Sequence, residues 1–248
     1  MKSPFVSDRP SPAPSRSHIH ILVSVALVAA VAGAAAIVLV LHRSKPVTSV
    51  TPPASAGLAQ FMGLTPLGGR PAPDITLTDQ RGQQVSLSAL ENEGKAVVLA
   101  FMDPHCIDIC PIIAQEFRQA YQDLGADASR VAFVAVDVNP FHMALSDVAR
   151  FSSEQGLSQI PNWHYLTGPL PALQQAWKDY GIAVQAPSPM TDVVHSDDVY
   201  FIDSAGKEEW VALPTDLYTA KGAAYLPAPQ VSRWGTGIAG VSRQLLYS

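Results

Sequence analysis

Residues 21–41 form an apolar segment that divides the chain into two parts with different folding requirements. The segment reads ILVSVALVAAVAGAAAIVLVL, 21 residues without a charged side chain. As an α-helix it would be about 31 Å long, which matches the hydrocarbon core of a bilayer. The apolar core of a cleaved signal peptide is shorter, about 7 to 15 residues, and a small-residue cleavage site follows it closely. The nearest such site, Ala54-Ser55-Ala56, lies thirteen residues beyond Leu41. The pattern predicts an uncleaved transmembrane anchor, so the globular fold belongs to the residues that follow.

The distribution of charge supports the same division. The first 45 residues carry five Lys or Arg and one Asp, whereas the remainder carries 11 Lys or Arg and 20 Asp or Glu, giving formal charges of +4 and −9. An acidic main body lacks the clustered basic footprint of a nucleic-acid-binding protein, so no nucleic-acid partner is expected. Three basic residues precede the apolar segment and two follow it closely, and this difference is too small to decide the orientation of the anchor.

Four regions follow from this division. Residues 1–20 are predicted to be a tail and residues 21–41 the transmembrane anchor. Residues 42–71 are rich in proline, which predicts an extended, semi-rigid linker. The folded domain is expected to occupy residues 72–248.

The pattern within the folded domain predicts an α/β fold. Two continuous apolar runs, Ala96–Met102 and Val131–Val136, have the length and composition of strands buried on both faces. Hairpins are predicted around Gln80-Arg81-Gly82 and across 199–213. Helical spacing is found at 112–124, 146–156 and 170–180, and a short helix is predicted around 236–245. Helices that alternate with buried strands indicate a central mixed sheet flanked by helices.

Cys106 and Cys110 are the only cysteines in the chain, which excludes a disulfide-stapled mini-protein and a four-thiolate metal site within one chain. Pro111 predicts a helix that starts near its own position, with Cys110 close to the N-cap. Free N–H groups at a helix N-terminus favour a thiolate and lower a cysteine pKa. The pair is therefore interpreted as either a redox couple or two soft metal ligands. A structural disulfide is the alternative, but it would close a loop of only three intervening residues and contribute little stability.

Two thiolates that bind copper or zinc need a further ligand, typically an imidazole. His105, His142 and His195 are the candidates. His105 is adjacent to the first cysteine, His142 lies in the loop after the second buried strand, and His195 precedes the last hairpin. His164, between two aromatic residues, is interpreted as a packing residue.

The motifs resemble those of the Sco family, also called SenC/PrrC, over roughly residues 72–213. The strongest match is C-x-x-x-C-P at 106–111, which follows a strand and opens a helix and contains an acidic residue, Asp108. A histidine shortly before the YFIDSAGK segment maps onto His195. Further matches are Asp137 after the second buried strand and the WHYLTG segment at 163–168.

The resemblance implies a thioredoxin-like fold and one copper ion per chain, as Cu(I) or Cu(II), bound by Cys106, Cys110 and His195. It implies a metallochaperone for the copper centre of cytochrome c oxidase subunit II, dependent on an external thiol reductant. It also implies an N-terminus in the cytoplasm and a domain on the periplasmic side, in a bacterial membrane rather than the mitochondrial inner membrane. The chain departs from the family at Ile107, where proline is usual, and across 137–142.

The competing interpretation is an enzyme, a membrane-anchored thiol:disulfide oxidoreductase that uses Cys106 and Cys110 as its redox pair. Related oxidoreductases have C-x-x-C and a proline directly before the closing hairpin. This chain has C-x-x-x-C, and its nearest proline, Pro189, lies several residues before His195. A peroxiredoxin would need Thr three residues before its reactive cysteine, where this chain has Asp103. We therefore expect a metal-binding protein rather than an enzyme.

Overall fold

The computed structural model describes residues 55–214 and 228–247. The predicted tail and transmembrane anchor, and the linker as far as residue 54, lie outside the described residues. Within the described ranges, no helix is both long enough and apolar enough to span a bilayer.

A six-stranded mixed sheet forms the centre of the described fold, in the order β1-β10-β9-β4-β5-β6. The strands are β1 (Thr65–Pro71), β2 (Thr76–Thr78), β3 (Gln84–Ser86), β4 (Ala96–Met102), β5 (Val131–Asp137), β6 (Trp163–Leu166), β7 (Val184–Gln185), β8 (Val194–His195), β9 (Val199–Ile202) and β10 (Lys207–Ala212). The helices are α1 (Ala56–Met62), α2 (Leu87–Asn92), α3 (Ile109–Leu124), α4 (Leu145–Glu154), α5 (Leu170–Asp179) and α6 (Ala228–Tyr247).

The two apolar runs form the middle of this sheet, as predicted. Strands β4 and β5 pair in parallel and all seven residues of each are buried, because helices cover both faces of the sheet. Alternate residues of β4 enter different apolar layers: Val98 packs with residues of α3 and α6, and Leu99 packs with residues of α2 and α5. Strand β9 returns antiparallel beside β4. The predicted central mixed sheet flanked by helices is confirmed.

The folded region begins earlier than the proline content predicts. Helix α1 and strand β1 lie within residues 42–71, and β1 pairs antiparallel with β10 at the edge of the sheet. An edge strand tolerates Pro66 and Pro71 because one side of its backbone needs no ladder hydrogen bonds. Gly68 and Gly69 have positive φ angles of 75° and 65°, and the strand register shifts in this segment. Proline and glycine thus indicate a bent edge strand here rather than linker.

The C-terminal helix is longer than the short helix predicted. Helix α6 has 20 residues, and Pro229 is its second residue, where proline is compatible with a helix. Its glycines reflect close packing: a Cβ at Gly235 would lie 2.7 Å from the Glu116 carbonyl oxygen of α3, and a Cβ at Gly237 would overlap the Met62 sulfur. Glycine therefore lets α6 approach α3 and α1 closely.

Candidate metal centre

The loop that carries the cysteines begins at the carboxyl end of β4, next to the carboxyl end of β5. Asp103 is buried, and its Oδ1 accepts hydrogen bonds from the His105 amide at 2.8 Å and from Asn139 Nδ2 at 2.9 Å. Asn139 follows β5, so these bonds join the two loops across the end of the sheet. The Asp103 carbonyl also accepts from the Cys106 amide at 3.1 Å. One buried carboxylate therefore positions the start of the cysteine loop.

The two cysteines lie at the N-terminus of α3. The helix begins at Ile109 with Asp108 as its N-cap, two residues before Pro111. Cys106 is partly exposed; its Sγ accepts from the Cys110 amide at 3.4 Å and its S–H donates to Asp108 Oδ1 at 3.1 Å. Cys110 is fully buried. Both cysteines are free thiols, and the Cys106 sulfur lies against the Cys110 amide.

Burial reverses the effect that the helix N-terminus was expected to have on Cys110. Desolvation, with a smaller contribution from the Cys106 thiol, raises the pKa of the Cys110 thiol well above its usual value. The hydrogen bond from Cys106, followed by that from the Ile109 amide, lowers the pKa of the Asp108 carboxyl. The centre thus pairs a buried neutral thiol with a partly exposed thiol beside an ionised carboxylate.

His195 lies on β8, whose antiparallel partner is β7. Its side chain is 3% exposed, and Nδ1 lies 3.0 Å from the Ser196 carbonyl oxygen. A carbonyl oxygen only accepts hydrogen bonds, so Nδ1 carries the proton. In a neutral imidazole, Nε2 then keeps its lone pair. A metal-ligating histidine is commonly held by a bond of this kind to a backbone carbonyl.

Cys106 and His195 line one cleft of about 530 Å³. The carboxyl groups of Asp108 and Asp197 line it too, and Asp197 Oδ1 lies 3.6 Å from His195 Nδ1. Acidic groups at this density favour a cation over an anion in the cleft. The ligand atoms of Cys106, Cys110 and His195 are not all within 4.8 Å of one another; among the described residues, only His105, His142 and Asp147 form a group that close.

The SCO1/SenC family profile matches residues 69–216, which is more than half of the chain. The chain belongs to the SCO1/SenC family. A search of curated proteins found no match.

Solved Sco structures share the fold of this chain. ScoI from Bradyrhizobium japonicum, solved with copper bound, is 23% identical with a TM-score of 0.50, covering 66% of this chain and 98% of its own. A SCO1/SenC family lipoprotein from Bacillus anthracis str. Ames is 23% identical with a TM-score of 0.53, covering 71% and 98%. BsSco, a Sco-family cytochrome c oxidase assembly protein with a disulfide switch, is 22% identical with a TM-score of 0.50, covering 70% and 95%. At these identities the likeness establishes the Sco thioredoxin-like fold.

In this Sco chain, sequence reasoning missed the groups that position the predicted ligands. The bond between Asp103 and Asn139 joins loops 36 residues apart, which local spacing does not reveal. Short polar residues in Asp-Pro and Asn-Pro pairs, directly after two buried strands, were the available signal. His164, interpreted as a packing residue, is only 12% exposed, but its Nδ1 lies 3.2 Å from Asp79 Oδ2 and 3.3 Å from Arg81 Nη2, so it also belongs to a polar network.

Proposed function

We propose that this chain binds one copper ion through Cys106, Cys110 and His195 and delivers it to the copper centre of cytochrome c oxidase subunit II. The observation that carries the proposal is the pair of free cysteines at the N-terminus of α3, where the Cys110 amide donates to the Cys106 sulfur and Cys106 lines a cleft that His195 also lines. The copper-bound relative from Bradyrhizobium japonicum and the oxidase-assembly role of BsSco support the metal and the pathway.

The donor set suits copper in both oxidation states. Thiolates are soft ligands that favour Cu(I), and an added imidazole also supports Cu(II). The Ser196 carbonyl accepts the Nδ1 proton of His195, so Nε2 is the ring nitrogen that can bind a metal. The same ligand types bind zinc, so the metal must be tested directly.

The burial and charge around the two thiols are consistent with a copper ion that can be passed to a partner. Cys110 is buried and holds its proton in the absence of metal, so a soft cation must displace that proton in order to bind. Cys106 is the more accessible sulfur, and Asp108 places negative charge beside it. An incoming partner would therefore meet Cys106 first, whereas Cys110 and the His195 side chain are buried.

The proposed location is the periplasmic side of a bacterial membrane, with residues 21–41 as the anchor and the N-terminus in the cytoplasm. Copper binding needs reduced cysteines, and the bacterial periplasm oxidises thiols. The proposal therefore includes an external thiol reductant as a second partner. Oxidation of the two thiols would form a disulfide and abolish the site.

The test uses the full-length protein, purified in a mild detergent, reduced without oxygen and titrated with Cu(I) and with Cu(II). We expect one copper ion per chain and a thiolate-to-Cu(II) charge-transfer band that His195→Ala weakens. The affinity loss should exceed the roughly 10- to 100-fold that removal of an outer-shell partner costs. His42→Ala, which removes the imidazole next to the predicted anchor in the sequence, is the control. Stoichiometric binding that survives both Cys106→Ser and His195→Ala would refute the ligand assignment.

A second experiment separates the chaperone from the oxidoreductase. Copper-loaded protein is mixed with the apo form of subunit II, and metal transfer is followed together with thiol release on the target. Transfer of copper without a change in target thiols supports the chaperone. In a parallel reaction, the metal-free, reduced protein is mixed with subunit II whose cysteines are oxidised. Two new thiols on the target for each disulfide formed between Cys106 and Cys110 would support the oxidoreductase instead.

A further inference from the structure

Three other side chains that can bind a metal lie close together at the cysteine loop, and none of them is a ligand of the proposed copper site. His105 comes from the loop after β4, His142 from the loop after β5, and Asp147 from the first turn of α4. The two imidazole rings stack with their centroids 3.7 Å apart and an interplanar angle of 22°. One potential ligand atom from each residue lies within 4.8 Å of the other two. We call these three residues the His–His–Asp cluster.

Two members of the cluster, His105 and Asp147, already lie against a cation, the Arg150 guanidinium. Arg150 Nη2 lies 2.9 Å from His105 Nε2. A guanidinium only donates, so this ring nitrogen is the acceptor and carries a lone pair. Asp147 Oδ1, also an acceptor, lies 3.2 Å from the same nitrogen and 3.6 Å from Arg150 Nη2. Two acceptors this close repel each other, and the positive charge of the guanidinium compensates for that repulsion.

We propose that the His–His–Asp cluster binds a divalent first-row transition-metal ion in place of the Arg150 guanidinium. Two imidazoles and a carboxylate suit Cu(II) and Zn(II), and the general order of affinities puts Cu(II) above Zn(II). Ligands about 2.1 Å from one ion lie roughly 3 to 4 Å apart, so ligand atoms that lie within 4.8 Å of one another need to approach by about 1 Å at most. The side chains of His105 and Asp147 are 33% and 17% exposed, which leaves room for this movement. Arg150 has another carboxylate, Glu154, 4.0 Å away.

The cluster is chemically distinct from the proposed copper site but shares its cleft. His105 and His142 line the cleft together with Cys106 and His195. The cysteine pair is a soft donor set for Cu(I), whereas the cluster is a harder nitrogen and oxygen set for a divalent ion. Binding at the cluster does not require the proposed function to be correct, because it uses none of the same ligands.

In the first test, Zn(II) is titrated into the full-length, Cu(I)-loaded protein in the absence of oxygen, and the heat of binding is measured by calorimetry. Cu(I) occupies the thiols, so zinc reports on nitrogen and oxygen ligands. We expect a zinc-binding event in the wild type that is lost in His105→Ala and in His142→Ala and retained in His42→Ala. Retained Cu(I) binding by the variants verifies that they are folded. Equal zinc binding by the wild type and both cluster variants would overturn the proposal.

The second test removes the Arg150 guanidinium, which competes with the metal ion for the cluster. Arg150→Gln removes a positive charge next to His105 Nε2, so zinc should bind at least about fivefold more tightly, the effect expected for two unit charges about 4 Å apart in bulk water. Unchanged or weaker zinc binding would contradict the claim that the ion replaces the guanidinium. Failure of zinc binding while Cu(I) still binds rejects the cluster alone. Failure of Cu(I) binding at the cysteines, with zinc binding intact, rejects the proposed function alone.

Discussion

Asp137 is a buried carboxyl group at the end of β5 whose ionisation is expected to affect stability. Its Oδ1 accepts from the Asn139 amide at 2.8 Å and its Oδ2 from Thr167 Oγ1 at 3.2 Å. These bonds do not compensate for burial, which raises the pKa of Asp137 to about 8 from its usual 3.8. Between these values the folded state holds a proton that the unfolded chain has released. The free energy of unfolding should therefore fall as pH rises from about 4 to 8, and then level off.

Asp137→Asn should remove this pH dependence, since an amide does not ionise. The measurement is urea unfolding of the wild type and the variant at pH 5, 7 and 9. We expect the variant to gain stability relative to the wild type with each step up to pH 8. Asp192→Asn, at an exposed position, is the control and should follow the wild type. A constant difference between Asp137→Asn and the wild type at all three pH values would show that Asp137 does not titrate in this range.

Asp108→Asn separates the structural role of this residue from its charge. Asparagine is as good an N-cap as aspartate, so the melting temperature should change little. The variant loses the negative charge that lies 3.1 Å from the Cys106 sulfur, and copper affinity should fall by at least about fivefold, the effect expected for unit charges about 4 Å apart in bulk water. Competition with a chelator measures the affinity. An unchanged copper affinity would mean that the carboxylate only caps α3.

Some of these site residues could be predicted from the sequence and others could not. The difference is whether the interactions that define them are local or join distant parts of the sequence. The spacing of Cys106 and Cys110 beside Pro111 is local, and it correctly indicated a helix N-terminus. The assignment of His195 depended on the family resemblance. His195 lies in the hairpin of β7 and β8, about 90 residues after Cys106, and local spacing does not relate positions so far apart. The direction of the Cys110 pKa shift was predicted wrongly. Local spacing reveals the helix N-terminus, but the burial that outweighs it comes from packing α3 against the sheet.

The same distinction applies to helices and strands. Strands β4 and β5 and the hairpin of β9 and β10 were correctly predicted, because buried runs and turn residues are local signals. The proline content wrongly predicts linker where strand β1 lies. Prolines are tolerated in a strand at the edge of a sheet, and the sequence does not show which strand is at the edge. The length of α6 was underestimated, since its glycines are explained by contacts with α1 and α3 rather than by helix propensity.

Gly235→Ala tests the close approach of α6 to α3. A methyl group there meets the Glu116 backbone carbonyl at 2.7 Å, and backbone cannot move aside as a flexible side chain can. We expect destabilisation of about 1 to 3 kcal/mol, the usual cost of overpacking. Gly57→Ala in α1 is the matched control, because a Cβ there has no neighbour within 4 Å. It should be neutral or stabilise the protein by up to about 1 kcal/mol. Equal effects of the two substitutions in thermal melts would argue against the tight contact.

The proposed arrangement of the whole molecule follows from combining the acidic domain with the predicted anchor at residues 21–41. Basic residues on the two sides of the anchor are too evenly balanced to orient it. The periplasmic location that we propose rests instead on the family resemblance, and in that location the proposed copper chemistry would require an external thiol reductant. This makes the accessibility of the cysteines from outside the cell the direct test of topology.

The chain has two cysteines, and only Cys106 is partly exposed, so a membrane-impermeant maleimide reports on one defined atom. In intact spheroplasts treated briefly with an impermeant reductant, we expect the wild type and Cys110→Ser to be labelled and Cys106→Ser to lose most of the label. The buried Cys110 should react only after unfolding. If the folded domain were in the cytoplasm, the label would appear only after lysis, and the anchor would have the opposite orientation. Copper added before the maleimide should protect Cys106 from labelling. The same measurement then tests both the side of the membrane on which the domain lies and the binding of copper at Cys106.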